Sequence, residues 1–469
     1  MRERANGAGS GDFDVVVVGG GIAGLTAAAT AARERGPGAR VAVLESVSEL
    51  GGRARTREEG GFLFNMGPHA LYVQSTGAEV LRELGISVSG GIPPSNGAMA
   101  LREGRLHALP TGFVSILSTG LISLAEKLEL ARFLAGIERI DPAPFDAVPV
   151  GDALARLLRH EGSRAVARAL VRVTSYANAP DVHSGGAALR QIQRALAGGV
   201  RYLDGGWRTL VSGLEKAACE AGVAIRTAAR ATAVEPAGAG PGAGWRVRLA
   251  SGESLVAPAV VVALGPAEAA ALVDGGANAL LARHAREAVP ARAACLDVAL
   301  RTLPRPKARF LLGIDEPFYF SVHTGPAKLG PEGGAVIHVA RYLAPGESPE
   351  RAGLERELEG LLDRMQPGWR DVVAARKLMR ELPVANAVPL ASQGGEGGRP
   401  GPALAGRPGL FLAGDWVGAR SQLADASFAS GREAGRLAAR AVEASRRGVA
   451  SAGAAPSAYE AIAAGVGMA

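Results

Sequence analysis

Four consecutive valines, Val15 to Val18, follow Asp14, and the glycine run Gly19-Gly20-Gly21 follows them at once. An unbroken β-branched stretch of this kind predicts a strand buried on both faces, as in the middle of a parallel sheet. An alanine-rich helical pattern then runs from Ile22 to Arg35, Gly36-Pro37-Gly38 stops it, and residues 41–45 read as a second strand. Together these form a compact βαβ unit. Downstream the period changes to 3.6 and predicts helices over residues 76–84, 121–139, 150–159, 163–173, 186–197 and 207–221. Strands are expected at 224–235, 245–249, 256–264, 293–301, 310–313, 318–323, 335–342 and 374–380. A helix is expected over 349–365, a last buried strand at 410–413 and a closing helix over 425–445. Residues 237–244 match a dinucleotide loop by glycine spacing alone, but they join two short strands and open no helix, so they read as a hairpin tip.

The sheet-building pieces therefore lie at the start, middle and end of the chain, with helical and mixed segments between them. The expected class is α/β: a Rossmann-like nucleotide-binding domain interleaved with an α+β substrate domain made of a mixed sheet and a helical insert. The first domain is expected to be discontinuous (residues 12–75, 203–290 and 403–445) and the second to comprise 76–202 and 291–402. Residues 1–11 and 446–469 read as flexible tails.

Composition narrows the function classes. The 469 residues are 48% hydrophobic and 21% charged, which excludes a disordered chain and allows a large core. Lys and Arg number 52 against 45 Asp and Glu, and all but five of the cations are arginine. They are interspersed with acids along helices, so they read as a solvated surface and not as a nucleic-acid arm. Cys219 and Cys295 stand far apart and show neither a disulfide framework nor metal-binding spacing, so no metal is expected and a cytoplasmic location fits. The N-terminal dozen residues lack the apolar core of a secretory signal. No apolar run is long enough to span a bilayer; the stretch from Thr111 to Leu130 is a candidate for peripheral membrane contact, or else a helix that caps a pocket.

Chemistry enters at the glycines. Gly19 permits a tight turn off the strand, Gly21 lets a pyrophosphate approach the backbone, and Gly24 allows the helix to pack on the sheet. Gly20, Ile22 and Ala23 complete the loop, and the anion would sit on the positive end of the helix. Glu45, 21 residues beyond Gly24, closes the second strand where a carboxylate accepts a ribose diol, with Ser46 beside it; NADP is disfavoured there. Gly51-Gly52-Arg53 allows close approach of backbone to a ligand, and Arg53 is a candidate phosphate clamp. The strand-turn-helix fingerprint, the acidic strand end and this Gly-Gly-Arg turn resemble the flavoprotein superfamily of amine oxidases, phytoene desaturases and protoporphyrinogen oxidases.

That resemblance implies FAD and extends almost over the whole chain. Phe64-Asn65-Met66-Gly67-Pro68-His69 is similar to the family segment that passes beside the flavin ring, which implicates Met66, Gly67, Pro68 and His69. Residues 229–236 are similar to the strand whose backbone, near Val234, meets the adenine. Residues 410–437 resemble the closing motif, in which Gly414 and Asp415 contact the flavin side chain and a helix start at Leu423, Ala424 and Asp425 faces the flavin N1/O2 region. Candidates for a catalytic role are His69, Tyr72, Tyr176 (with Asn178) and Trp416.

The resemblance further implies hydride removal from an apolar small molecule to the flavin, as in phytoene desaturase-like or protoporphyrinogen oxidase-like enzymes. Flavin amine oxidation is the alternative. The chain departs from it because residues 293–299 lack the lysine such enzymes carry and the closing motif is Gly-Asp, not Gly-Glu. A non-redox isomerase or an escort-type binding protein is the reading from another class. No second dinucleotide fingerprint and no redox cysteine pair is present, so oxygen or a quinone is the expected electron acceptor.

Overall fold

A computed structural model describes residues 13–94, 97–109, 119–238 and 243–446. Its organising element is a five-stranded parallel sheet ordered Ala224–Arg226, Val41–Leu44, Val15–Val18, Ala259–Val262, Leu410–Leu412. Numbered along the chain this is 3-2-1-4-5, the doubly wound order that leaves a crevice at the carboxyl ends where the direction of winding reverses. The crevice lies between Val15–Val18 and Ala259–Val262, so the glycine turn after Val18 opens into it. All four residues of both strands are fully buried, which is why their sequence is uniformly β-branched or small.

Helix Ile22–Arg35 covers one face of this sheet and packs along the closing helix Leu423–Arg446. Their backbones approach closely: a Cβ on Gly431 would lie 2.4 Å from the Ala23 carbonyl and one on Gly435 2.5 Å from that of Ala27. Helix Thr76–Glu83, assigned by its sequence position to the second domain, buries Val80 and Leu81 in this same cluster. The other face packs on an antiparallel sheet of Ala231–Pro236, Trp245–Leu249 and Ser254–Ala257. The single strand expected over 224–235 is thus two, split where Ala228 takes a φ of +52° and turns the chain from one sheet to the other.

A seven-stranded mixed sheet forms the second layer, ordered Val373–Ala385, Ala291–Leu300, Ala335–Leu343, Phe318–Val322, Phe310–Gly313, Ala98–Arg102, Arg105–Ala108. Strand alternation sorts its residues: Ala294, Leu296 and Val298 pack on helix Arg351–Met365, while Cys295, Tyr319 and Tyr342 point the other way. The helical insert of Leu124–Gly136, Val150–Leu157, Glu161–Ser175 and Gly185–Gly198 stands over that second face. The sequence pattern missed the hairpins at residues 56–65 and 98–108, whose strands are short and partly polar, and the short helices Pro266–Leu272 and Ala279–Glu287. The first eight residues of the proposed membrane-facing stretch, 111–118, and the tip of the 237–244 hairpin lie outside the described residues, as do nearly all of both tails. Among the described residues no helix is long and apolar enough to cross a membrane.

Candidate active site

The first glycines build a cradle. A Cβ on Gly24 would stand 1.8 Å from the Gly19 carbonyl oxygen, whereas one on Gly21 would meet nothing within 4 Å. Gly24 is therefore a packing glycine and Gly21 borders open space. No side chain caps helix Ile22–Arg35, and its first turn holds no acid, so its leading amides are available to an anion. Gly51 donates to the Gly20 carbonyl at 2.8 Å, and Gly52 packs over Gly21, which brings the two glycine turns to one place. Glu45 accepts from Gly20 N at 2.9 Å, Ser46 Oγ at 3.0 Å and Val47 N at 3.1 Å. A carboxylate has about four acceptor sites, so Glu45 retains one for a ribose hydroxyl. Ala229 N bonds the Glu45 carbonyl, and the strand carrying Val234 starts beside it; Val234 itself is buried, paired with Val247 and bridged to Val273. These donors, this open glycine and the uncapped helix fit the adenosine and pyrophosphate of a dinucleotide.

Arg53 has a partner that its sequence position does not show. Its Nη1 bonds Asp415 Oδ2 at 2.7 Å and the Val384 carbonyl at 2.9 Å, which ties one end of the guanidinium into the protein. Asp415 also accepts from Asn386 N at 2.9 Å and Asn386 Nδ2 at 2.7 Å. The closing motif is thereby fastened to the Gly-Gly-Arg turn and to the second sheet at one buried carboxylate. Gly414 is anchored through Ser430 Oγ, which its amide meets at 2.9 Å. Ser421 and Leu423 take φ values of +66° and +55°, an unfavourable conformation for both, worth about 1–3 kcal/mol each. Arg399 holds the turn by donating to the carbonyls of Asp415, Arg420 and Ser421. Left-handed residues at a helix start are the kind of backbone that gathers amides toward negative charge. Leu423 and Ala424 keep partial exposure there; Asp425 does not, since its Oδ1 is occupied by Gly77 N at 2.9 Å and joins two helices.

Trp416 requires correction as a catalytic candidate. It is 2% exposed, donates from Nε1 to the Leu264 carbonyl at 2.9 Å and packs among Val18, Leu412 and Leu404 on the far face of the parallel sheet. Tyr72 donates to the Thr174 carbonyl at 2.9 Å and so pins the helical insert to the strand that carries it.

The other candidates converge. Gly67 has a φ of +77°, and a Cβ there would lie 2.7 Å from Leu382, so the segment Met66-Gly67-Pro68 presses on the second sheet. His69 bonds the Gly67 carbonyl through Nδ1 at 3.0 Å and meets Trp207 edge-on at 4.7 Å. Tyr176, at a φ of +57°, ends helix Glu161–Ser175 and donates to the Pro68 carbonyl at 3.4 Å; Asn178 donates to the Tyr342 carbonyl. Gly21, Arg53, Met66, His69, Tyr176 and Leu423 all keep partial exposure among buried neighbours, and Gly52 is exposed. The contacts named above run from the glycine cradle through the flavin-type segment to Tyr176.

Sequence reasoning missed what stands behind that segment. Asp297 Oδ2 accepts from Gly67 N at 3.2 Å, its Oδ1 accepts from Cys295 Sγ at 3.0 Å, and His338 Nδ1 lies 2.5 Å from the same oxygen. His323 packs on the ring of His338 and stacks on Tyr202. The only signal in the sequence is a charged residue inside an otherwise apolar strand, Cys295-Leu296-Asp297-Val298.

Comparison with known proteins assigns this architecture. The family model described as "Flavin containing amine oxidoreductase" matches residues 22–293, more than half of the chain. The chain belongs to that family. It is an FAD-dependent oxidoreductase with an α/β fold. A coproporphyrinogen III oxidase of Mycobacterium tuberculosis is 28% identical over 373 residues, covering 73% of this chain and 79% of that protein. A carotenoid 3,4-desaturase of Haloarcula japonica is 54% identical over only 55 residues, 12% of this chain and 10% of that protein. Among solved structures, an oxidoreductase from Methanosarcina mazei superposes with a TM-score of 0.71 at 20% identity, covering 89% of this chain and 99% of the other. At that identity the likeness is one of fold.

Electrostatics of this oxidoreductase favour neutral imidazoles. Burial lowers the pKa of His69 to about 4 despite its bond to the Gly67 carbonyl, and burial likewise lowers that of His183 to about 4 against the opposing pull of Glu396. His69 is therefore a neutral ring at physiological pH. Both folded values lie below the ordinary 6.5, so between pH 6.5 and 4 the unfolded chain binds more protons and stability falls as pH falls. For the fully buried His183 the loss is on the order of 3 kcal/mol across that window. Urea unfolding at pH 7 and pH 4.5 measures it, and His183→Leu is expected to flatten the dependence; an equally steep dependence in the variant refutes the assignment.

Proposed function

We propose that this enzyme oxidises a porphyrinogen-type tetrapyrrole, an apolar macrocycle whose saturated bridges lose hydrogen. The observation that carries the reading is the aromatic wall behind the Gly67–His69 segment. Tyr176 lies 5.8 Å from Tyr342 and 6.5 Å from Tyr319 between ring centroids, and Phe310 meets Tyr319 edge-on at 5.6 Å. Tyr176 and Phe310, partly exposed over the buried Tyr319 and Tyr342, offer faces and edges to a broad π-rich ligand. The relative named coproporphyrinogen III oxidase supports the same substrate class because its similarity reaches across most of both chains. The desaturase likeness is too short to speak for a substrate.

When bound, FAD supplies a two-electron acceptor. The chain's part is to hold it with Gly19–Gly24, Glu45, Gly51, Gly52, Gly414 and the Leu423 turn, and to present the macrocycle against Met66–His69. Neutral His69 packs beside the substrate and orients it, while Tyr176 forms the accessible end of the wall. Oxygen or a quinone takes the electrons onward. Leu124 and Leu128, exposed one turn apart on helix Leu124–Gly136, are where a peripheral membrane contact would fall.

The test is anaerobic titration of the yellow protein with coproporphyrinogen III, a colourless carotenoid precursor and a set of primary amines. Bleaching by the porphyrinogen is the expected result. Bleaching by the amines or the polyene alone overturns the proposal. A rearranged product with the colour retained points to isomerisation.

A further inference from the structure

The sheet face that carries this wall also holds a group that neither cofactor binding nor apolar substrate packing requires: Asp297, 1% exposed in the middle of an apolar strand. Its environment is complete on every side. Cys295 lies on its own strand. On one neighbouring strand His338, 0% exposed, stands directly across from it; on the other, half-buried Lys377 is its register partner. Above it is the Gly67 amide, with His69 two residues on, and behind His338 come His323 and Tyr202.

Cys295, Asp297 and His338 also bring three metal-type donor atoms within 4.8 Å of one another. The spacing favours hydrogen bonds. Around a tetrahedral zinc, nitrogen and oxygen ligands stand roughly 3.3 Å apart and sulfur somewhat further, given metal–ligand bonds near 2.0–2.3 Å. Here the His338–Asp297 separation is 2.5 Å and the Cys295–Asp297 separation 3.0 Å. His338 Nε2 and both nitrogens of His323 are buried with no protein hydrogen-bond partner. Buried polar atoms of this kind are completed by water.

We propose that Asp297 and His338 form a proton-holding pair that positions the Gly67–His69 segment and receives, through water at His338 Nε2, the proton released by substrate oxidation. This rests on the oxidation reading above. Loss of two hydrogens from a substrate delivers one hydrogen with two electrons to the acceptor and leaves one proton over. His338 donates Nδ1–H to Asp297 and takes the proton at Nε2, and the Asp297 carboxylate balances the charge gained. No other oxidant or base is needed. His69 serves less well as the acceptor because it stays neutral down to about pH 4. Asp297 acts through Gly67 and His338 and is a positioning residue, as its 3.2 Å bond to the Gly67 amide shows.

Imidazole NMR of the unmodified protein with 15N-labelled histidine tests the first half without substrate. His338 is expected as the Nδ1–H tautomer with a far-downfield proton resonance, which Asp297→Asn and His338→Gln abolish and Cys295→Ala preserves. An Nε2–H tautomer for His338 overturns the proposal whatever the substrate is. The second half is read from anaerobic flavin reduction across pH in FAD-loaded variants. Asp297→Asn and His338→Gln are expected to slow reduction about 100-fold. FAD affinity should stay within threefold, and the pH profile of reduction should change shape in His338→Gln. Unchanged rates and pH profiles in both variants overturn it. Failure of every substrate class to bleach the flavin sinks the functional reading and leaves the tautomer result standing.

Discussion

Gly24→Ala is expected to give a protein that neither holds FAD nor folds to the native melting temperature. The added carbon would lie 1.8 Å from the Gly19 carbonyl oxygen and 3.2 Å from Ala263 Cβ. Neither the strand-end turn nor the buried helix can retreat, since Gly19 itself is confined by the Ala263 carbonyl. Alanine gains about 1 kcal/mol over glycine in a helix interior, but backbone overlap at a packed interface costs about 3 kcal/mol or more, so destabilisation wins. Gly21→Ala is the instructive contrast. Its φ of −79° suits any residue, and a Cβ there touches nothing within 4 Å, so the fold is retained. The methyl group instead enters the space a pyrophosphate would take, and FAD affinity should drop about 100-fold, or about 2.7 kcal/mol. Thermal melting of the apoproteins and blue absorbance after reconstitution separate the two effects. Equal melting temperatures for Gly24→Ala and wild type would show that the helix does not rest on Gly19 as described.

The same pair of glycines shows which information is legible in a linear sequence. Buried strands such as Val15–Val18 declare themselves because both faces need apolar residues, and the glycine turn is read from its neighbours along the chain. Contacts formed across the chain are different. Arg53 reads as a phosphate clamp because its charge is visible, while its partner Asp415 is 362 residues away and becomes visible only when the last strand joins the sheet. Trp416 follows a Gly-Asp turn and so looks flavin-facing, yet its side chain goes to the opposite face of the sheet, a parity no local pattern specifies. Asp297 and His338 are 41 residues apart on separate strands, and each in isolation is a single polar residue in an apolar run. Tyr176 and Leu423 carry no sign of left-handed backbone in their residue types, which favour the opposite. The scaffold is therefore set by local periodicity, and the polar part of the site by long-range pairing.

Asp415→Ala is expected to destabilise the protein by about 3 kcal/mol and to release FAD. The carboxylate is 2% exposed and satisfies three donors, one from Arg53 and two from Asn386. Breaking a buried ion pair at one end costs about 3–5 kcal/mol because the remaining groups lose their acceptor. The lower end applies, since the Arg53 side chain is 34% exposed and its guanidinium can turn partly to water. Asp415→Asn should be no milder: its amide group would place donors against Arg53 and Asn386, which themselves donate. The cofactor is lost because Asp415 fastens the Gly414 turn to the Gly51-Gly52-Arg53 turn, the two backbone segments that close on opposite sides of the crevice. The acid behaviour identifies the residue. Burial alone would raise the Asp415 pKa, but attraction and hydrogen bonds from Arg53 and Asn386 outweigh it and hold the carboxyl below its ordinary 3.8. Its contribution is therefore fully present above that value and is lost only as pH falls through the lowered folded-state pKa. The effect of His69 and His183 is spread from pH 6.5 down to about 4, so comparison of wild type with the Asp415 variant below that range isolates the carboxylate. Wild type should lose a further increment of stability below pH 4 that Asp415→Ala lacks, measurable as converging urea midpoints in strong acid. Midpoints that stay parallel there would place the stabilising charge elsewhere.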